Sequence, residues 1–343
     1  MKSEFSVQRC LTIVCVLFGT WFSVLVNADC SSLPDDLASQ YPSYQQGQIT
    51  RQDGRVVSWA RVGPENGQPI IYAHGNPGSR FELLFFHDQA VAQHRAIYVV
   101  ERAGFGCSTF SDEYSLVHYA QDTDFVMDKL KVKRPLDLVG WSSGGPPSFA
   151  YSAYFPENVQ RVIVASSYTN FGELPDAVAI MKAHHRKGPV LSEKAPRLFH
   201  GLVWLVGWTS QHLPNMYYKV TEKEVSDSDR VILEKNGMKA LFMLNQEEAF
   251  AQGSAGAELD LEVQWRPWPF ALSQVKTPVL LMYGREDKLV PMQFMQHLDQ
   301  RLPHSRLQLE DKEGHLFPLK ASYQQKMLEW FTQGTDMALF VTK

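Results

Sequence analysis

Short apolar runs alternate with amphipathic stretches along most of the chain. From Ser115 to Leu130, apolar residues recur at spacings of three and four, which predicts a helix whose opposite face carries Asp122, Asp124 and Asp128. The apolar runs are continuous, without the in–out alternation of a half-exposed sheet, and so predict buried strands. We therefore expect an α/β fold in which helices cover both faces of a mostly parallel sheet. The predicted strands are QPIIYA, AIYVVE, LDLVG, RVIVAS, TPVLLMYG and RLQLE.

Two segments depart from this alternation. In GQITRQDGRVVSWARVG, an Asp-Gly turn signal separates two runs with β-branched residues, which predicts a β-hairpin. Between RVIVAS and TPVLLMYG lie about a hundred residues with helical patches and no clear strand. We expect residues 168–270 to form a helical cap, inserted into a core made of residues 29–167 and 271–343. Such an insertion would lie over the carboxyl edge of the sheet, where α/β proteins bind ligands.

The first residues have the three-part pattern of a secretory signal. Lys2 and Arg9 precede an apolar run, and the small residues VNA follow it. We expect residues 1–28 to be removed on export to the periplasm or the medium, leaving a protein without stable membrane insertion. The alternative is a membrane anchor formed by residues 11–26, because the apolar run approaches a spanning length.

Composition narrows the range of partners. The chain has 343 residues and a formal net charge of -4, which argues against nucleic acid as the main partner. No H-E-x-x-H motif and no paired Cys/His ligands occur, so neither a metal nor an organic cofactor is expected. Outside the leader, Cys30 and Cys107 remain, and the sequence leaves open whether they pair. The expected partner is a small-molecule substrate, and the oligomeric state is left open.

The stretch GWSSGG lies between a predicted strand and a predicted helix. A phosphate-binding loop would need a following Lys, and a dinucleotide fingerprint would need G-x-G-x-x-G, so neither fits. A nucleophile elbow fits, because this sharp turn needs small residues two before and two after its serine. Gly140 and Gly144 occupy those positions around Ser142. For Ser143, the residue two before would be Trp141, whose side chain would not fit. We therefore expect Ser142 to be the nucleophile.

A serine hydroxyl needs a base, and the base needs an acid to orient it. Asp287 follows the strand TPVLLMYG, and His315 follows the strand RLQLE, each in a loop beyond a strand end. The chain order Ser142, Asp287, His315 is the one that this architecture uses. Glu286 is the rival acid, but Asp287 occupies the usual place in the loop.

Attack on an acyl group creates a negative oxygen that two backbone N–H groups should meet. The helix start after Ser142 leaves the N–H of Ser143 as one donor. The segment AHGNPGSR follows an early predicted strand and offers the N–H of Asn76 as the second. His74 in the same segment is expected to be a structural hydrogen-bonding residue.

Five segments, HGNPG, ERAGFGCS, GWSSGG, GREDKLVP and EGH, occur in the order typical of one superfamily. With them the chain resembles the α/β-hydrolases, as a cap-bearing esterase- or lipase-like member. The resemblance implies an eight-stranded, mostly parallel sheet with a helical cap, and a structural role for ERAGFGCS. Relatives with aspartate as the nucleophile are dehalogenases or epoxide hydrolases, and Ser142 argues against both.

The expected function is a serine hydrolase that cleaves carboxylic esters, with lactones and amides as further candidates, through an acyl-enzyme. One alternative is a proline-iminopeptidase-like aminopeptidase, which would need an acidic cap residue such as Glu247, Glu248 or Glu258 to hold the substrate amine. Another is a non-catalytic ligand-binding member of the superfamily. The cap aromatics should pack its helices and roof an apolar pocket. They are Trp204, Trp208, Trp265, Trp268, Phe199, Phe242, Phe250 and Phe270.

Overall fold

The computed structural model describes residues 30–183 and 185–332. The predicted leader, residues 1–28, lies outside the described residues, as do the last residues of the predicted core segment 271–343. None of the helices in the described part of the chain has the length and apolar character needed to cross a membrane.

The strands form one eight-stranded sheet in the order β1-β2-β4-β3-β5-β6-β7-β8. The predicted hairpin is confirmed, because β1 and β2 pair antiparallel around the Asp-Gly turn. β2 also pairs antiparallel with β4, and all the remaining pairs are parallel. The expected mostly parallel sheet is therefore confirmed. The strands are β1 Gln45–Thr50, β2 Val56–Val62, β3 Gln68–Ala73, β4 Arg95–Val100, β5 Leu136–Trp141, β6 Val159–Ala165, β7 Val279–Gly284 and β8 Ser305–Glu310.

Helices cover both faces of this sheet, which explains why its central strands are continuous apolar runs. Successive side chains of β5 point to opposite faces: Leu136 and Leu138 pack in one core cluster, and Val139 and Trp141 in the other. Neither face of the strand meets water, so neither side needs polar residues. Short 3-10 turns occupy Arg80–Phe86, Ser142–Gly144, Pro156–Asn158, Leu272–Gln274 and Phe317–Leu319.

Among the described residues, seven of the thirteen α-helices fall between β6 and β7. These helices, α5 to α11, occupy the part of the chain in which the sequence shows no clear strand. The helices are α1 Asp35–Ala38, α2 His87–Ala92, α3 Leu116–Lys129, α4 Gly145–Tyr154, α5 Ala177–Ile180, α6 Lys187–Lys194, α7 Pro196–His212, α8 Pro214–Glu224, α9 Asp227–Leu233, α10 Met238–Ala249, α11 Ala255–Trp265, α12 Met292–Arg301 and α13 Ala321–Trp330.

The amphipathic helix expected from Ser115 is confirmed as α3, but one residue of its predicted polar face is buried. The spacing predicts Asp122 on the solvent face, but the structure buries it. Arg51 and Arg55 from the hairpin each approach its carboxylate to 2.9 Å. A buried carboxylate is stable only when it is paired, and the two arginines satisfy that requirement.

Cys30 and Cys107 form a disulfide that joins the start of the described chain to the loop after β4. The same region has a buried ion-pair network centred on Arg80. Its guanidinium pairs with Glu101, 3.1 Å away, and with Glu248 of α10. It also donates to the carbonyl of Ser31, next to the disulfide, at 2.6 Å. The N-terminal segment is therefore attached to the core both covalently and by charge.

Candidate active site

Ser142 lies where β5 ends and a short 3-10 turn leads into α4. Its φ of 55° is in the left-handed region, which a serine adopts only when the surrounding structure imposes it. A Cβ on Gly140 would lie 2.6 Å from the Gly144 carbonyl oxygen, and a Cβ on Gly144 would lie 1.9 Å from that of Ala73. Only glycine fits at both positions, as the sequence pattern indicated.

Asp287 and His315 are brought together from the loops after β7 and β8. Nδ1 of His315 lies 2.8 Å from Oδ2 of Asp287, and both residues are buried. The other carboxylate oxygen accepts hydrogen bonds from the backbone N–H groups of Leu289, at 2.7 Å, and Val290, at 3.0 Å. The aspartate side chain is therefore fixed by three groups, two N–H groups of its own loop and the histidine ring.

The electrostatics of this pair follow from its burial. Burial alone would raise the pKa of Asp287, but the His315 charge and the hydrogen bonds to the carboxylate lower it below its ordinary value. Burial alone would lower the pKa of His315, but the charge and hydrogen bond of Asp287 raise it, with a further contribution from Asp229. Asp287 therefore stays ionised and stabilises a proton on the imidazole.

The loop that carries His315 is held by an acid from the insertion that the sequence analysis did not identify. Asp229 of α9 is fully buried. Its carboxylate accepts the backbone N–H of His315 at 2.9 Å and that of Leu316 at 2.7 Å. A Cβ on Gly314 would lie 2.2 Å from the same carboxylate, so glycine is required before the histidine. Trp141 completes the support, because its indole N–H donates to the His315 carbonyl at 3.0 Å.

Asn76 is held by a second buried acid of the insertion. Its side-chain amide donates to Asp260 of α11 at 2.7 Å and to the Ala257 carbonyl at 2.9 Å. Arg102, from the ERAGFGCS loop, lies 2.9 Å from the same aspartate and donates to the carbonyls of His74 and Gly75, both at 2.6 Å. The side-chain NH2 group of Asn76 is thus engaged by two acceptors, and its backbone N–H is the group expected to bind an oxyanion.

The base of this loop is fixed by buried hydrogen bonds. Burial lowers the pKa of His74, and both of its ring nitrogens are engaged, one with the Gly75 carbonyl and the other with the Arg102 N–H. This agrees with the structural role expected for it. Glu82 accepts the Gly75 N–H at 3.0 Å and the Tyr72 hydroxyl at 2.8 Å, and burial raises the pKa of Glu82 to about 7.

A cavity of about 190 Å³ adjoins these groups. Ser142, His315 and Asn76 all line it, so the structure places three of the five predicted site residues at one cavity. Asp287 and Ser143 are buried behind them, the latter with its carbonyl bonded by Gln264 of α11 at 3.1 Å. The other lining residues are Gly75, Pro77, Glu82, Phe85, Trp141, Tyr217, Thr221, Val225, Phe242, Asn245, Gln246, Leu289, Leu316 and Leu319.

Few of the aromatic residues that the sequence indicated in the insertion line this cavity. Of the eight aromatics that the sequence indicated, only Phe242 lines it. Phe199 and Phe250 line a neighbouring cavity, and Trp204 and Trp208 are exposed. Phe199, Phe250, Trp265, Trp268 and Phe270 belong to packed hydrophobic clusters, which agrees with the packing role expected for most of these aromatics.

The acids considered for holding a substrate amine do not line the cavity. Glu248 pairs with Arg80, and Glu258 approaches Nδ1 of His200 at 2.7 Å. Glu247 is exposed. Within the described residues, no group of three or more His, Cys, Asp or Glu side chains is arranged to hold a metal ion.

Comparison with known proteins places this geometry in context. A family model for the alpha/beta hydrolase fold matches residues 68–189, from β3 through the Ser142 turn into α6. A cis-3-alkyl-4-alkyloxetan-2-one decarboxylase from Shewanella oneidensis is 30% identical over 114 residues, which are 32% of this chain and only 35% of that protein. A bifunctional esterase/perhydrolase from Acinetobacter calcoaceticus is 25% identical over 263 residues, 72% of this chain and 84% of that protein.

Solved structures share the fold. The crystal structure of a bromoperoxidase from Bacillus anthracis superposes with a TM-score of 0.63 at 19% sequence identity, and the match covers 84% of this chain and 99% of the other. The sheet order, the helices on both faces and the family match across the Ser142 turn together show that the chain has the α/β-hydrolase fold.

Proposed function

We propose that the protein is a serine hydrolase that cleaves carboxylic esters of apolar small molecules, with lactones and amides as further substrates of the same chemistry. One observation carries the proposal. Ser142, in a strained turn, shares a cavity with His315, whose Nδ1 is 2.8 Å from the buried carboxylate of Asp287. This is the arrangement by which a neutral hydroxyl becomes a nucleophile. The esterase among the relatives supports the substrate class.

In the proposed first half-reaction, Oγ of Ser142 attacks the carbonyl carbon as His315 takes its proton. Asp287 stabilises the imidazolium, and the backbone N–H groups of Asn76 and Ser143 donate to the developing oxyanion. Collapse of the tetrahedral intermediate breaks the ester C–O bond, and the leaving alcohol takes the proton from His315. An acyl-enzyme on Ser142 remains.

In the second half-reaction, His315 removes a proton from water, and the resulting hydroxide attacks the acyl carbon. The same N–H groups bind the second oxyanion. The C–O bond to Ser142 then breaks, the serine oxygen takes the proton back from His315, and the carboxylic acid leaves. Every proton that His315 accepts is returned within the cycle, so the chemistry needs no further reactant.

Asp229 acts in this scheme as a positioning residue. Its carboxylate accepts the N–H groups of His315 and Leu316 and touches neither Ser142 nor the cavity. It fixes the backbone from which the imidazole projects, and its charge adds to the field that raises the His315 pKa. Both effects favour an imidazole that stays in place and accepts a proton readily.

We also propose that the protein is exported. The N-terminal sequence pattern supports this, and so does the Cys30–Cys107 disulfide, since disulfides persist mainly in oxidising compartments. Peptide mapping of the exported protein without reductant is expected to find these cysteines cross-linked and the chain beginning at Asp29. An N-terminus that still contains residues 11–26 would favour the anchor, and free thiols at both positions would contradict the proposal of an oxidising compartment.

Replacing each of the two adjacent serines by alanine tests which one is the nucleophile. Ser142→Ala is expected to lower kcat for p-nitrophenyl esters by about 10⁶, because the covalent step is lost. Ser143→Ala should keep most of the activity, since only its backbone N–H is used. Labelling by a fluorophosphonate probe should follow the same pattern. Equal losses in the two variants would contradict the assignment of Ser142.

Asp229→Asn is expected to lower kcat about tenfold, because the two N–H groups bind different carboxylate oxygens and the amide puts an NH2 donor in place of one of them. Removing the charge lowers the His315 pKa, so the acidic limb of the kcat/KM profile should move to lower pH. Asp227→Asn is the matched control, since Asp227 lies on the same helix, is exposed and pairs with Arg230 of that helix. A lower melting temperature with an unmoved pH profile would show that Asp229 is merely structural.

Acyl-chain length tests the proposed substrate class. The side chains of Phe85, Phe242, Leu289 and Leu319 give the cavity apolar walls. Each added methylene should therefore contribute about 0.8 kcal/mol, roughly fourfold in kcat/KM, until the cavity is full. The measurement is kcat/KM for p-nitrophenyl esters from acetate to decanoate below micelle-forming concentrations. A flat profile, or a preference for charged acyl groups, would contradict apolar substrates.

A further inference from the structure

The outer face of α7 is apolar and exposed. In the described part of the chain, nine of the thirteen large hydrophobic side chains that are exposed lie between Leu198 and Val220, on α7, α8 and their junction. Trp204 is 53% exposed and Leu205 is 49% exposed. Isolated exposed hydrophobic residues are ordinary, but a group of them on two neighbouring helices marks a surface that meets something apolar. We call this group, residues 198–220, the α7–α8 patch.

We propose that the α7–α8 patch docks on a lipid surface. The sequence of α7, PRLFHGLVWLVGWTSQH, has no acidic residue. Exposed basic residues, Lys187, Lys194 and Arg197, lie at its N-terminal side. Apolar side chains with tryptophan on one face and basic residues beside them are the features of helices that lie in a membrane interface.

A second cavity lies between the patch and the candidate active site. It has a volume of about 330 Å³ and runs between α6, α7 and α11. Leu202 and Val206, which belong to the exposed patch, line it at one side. Asn76 and Pro77 line it at the other, and these two residues also line the cavity that contains Ser142. A lipid surface on α7 would deliver apolar molecules to this opening, whereas a protein partner on the same face would cover it.

The position of the N-terminal segment agrees with a lipid surface on this side. Ser31 and Gln211, the latter in the last turn of α7, line one common depression. The described chain therefore begins beside the C-terminal end of α7, and the apolar run of residues 11–26 directly precedes this point in the sequence. If that run is retained as an anchor, it attaches the molecule to a membrane next to the patch.

Vesicle flotation tests the docking apart from catalysis. The probe is unilamellar vesicles of phosphatidylcholine, with and without phosphatidylglycerol, and the protein is residues 29–343. Trp204→Asp and Leu205→Asp are expected to lower vesicle binding at least about tenfold, because each places a charge where an apolar side chain was buried in lipid. Val91→Asp is the matched control, since Val91 is similarly exposed but lies on α2. It should leave binding unchanged.

Activity and oligomeric state complete the test. Trp204→Asp should hydrolyse a soluble short-chain ester normally, which shows that it is folded, but should lose activity on esters presented in vesicles. Ser142→Ala should bind vesicles like the parent chain, so the docking proposal stands even where the proposed function fails. Parent protein that does not bind vesicles overturns it. A dimer by light scattering that Trp204→Asp converts to a monomer, without vesicle binding, would instead make the patch a contact between two copies.

Discussion

Three buried carboxylates control the geometry at the carboxyl edge of the sheet. Asp287, Asp229 and Asp260 lie in regions from which water is excluded, and an unpaired charge there would cost several kcal/mol. Each is therefore stable only in a conformation that brings donors to it. The donors belong to the loops that carry His315 and Asn76. The hydrogen bonds that stabilise these carboxylates are therefore the same ones that position the loops of the site.

This constraint changes the part that the insertion plays. Two of the three carboxylates, Asp229 and Asp260, belong to its helices α9 and α11, and each holds one loop of the core. The insertion is thus a structural support of the site as well as a cover over it. Because charged hydrogen bonds are short-ranged and directional, a small displacement of α9 would shift the His315 backbone or weaken its hydrogen bond to Asp229. The position of α9 is consequently coupled to that of the proposed base.

The sequence predicted those features that depend on local pattern. Continuous apolar runs indicated buried strands, and the residues that follow strand ends converge on one edge of a parallel sheet, which is why Asp287 and His315 were found. Asp122, Asp229 and Asp260 were not, because their partners are distant in the chain and a lone aspartate on a helix is usually solvated. The Gly-Trp-Ser-Ser-Gly-Gly turn identified Ser142 through close packing, which operates within five residues and so can be inferred without a structure.

Helix α7 is mostly apolar in sequence but is exposed on its outer face. A helix that is apolar on all sides is normally buried, and α7 is nearly so in sequence. Its inner residues Phe199 and Val203 do pack against α10 and α11, but its outer face has no element of the described chain over it. A polar outer face would be the lower-energy choice in water. That the chain does not use one agrees with the proposed contact between this face and a lipid surface, and the cavity that Leu202 and Val206 line is also lined by Asn76.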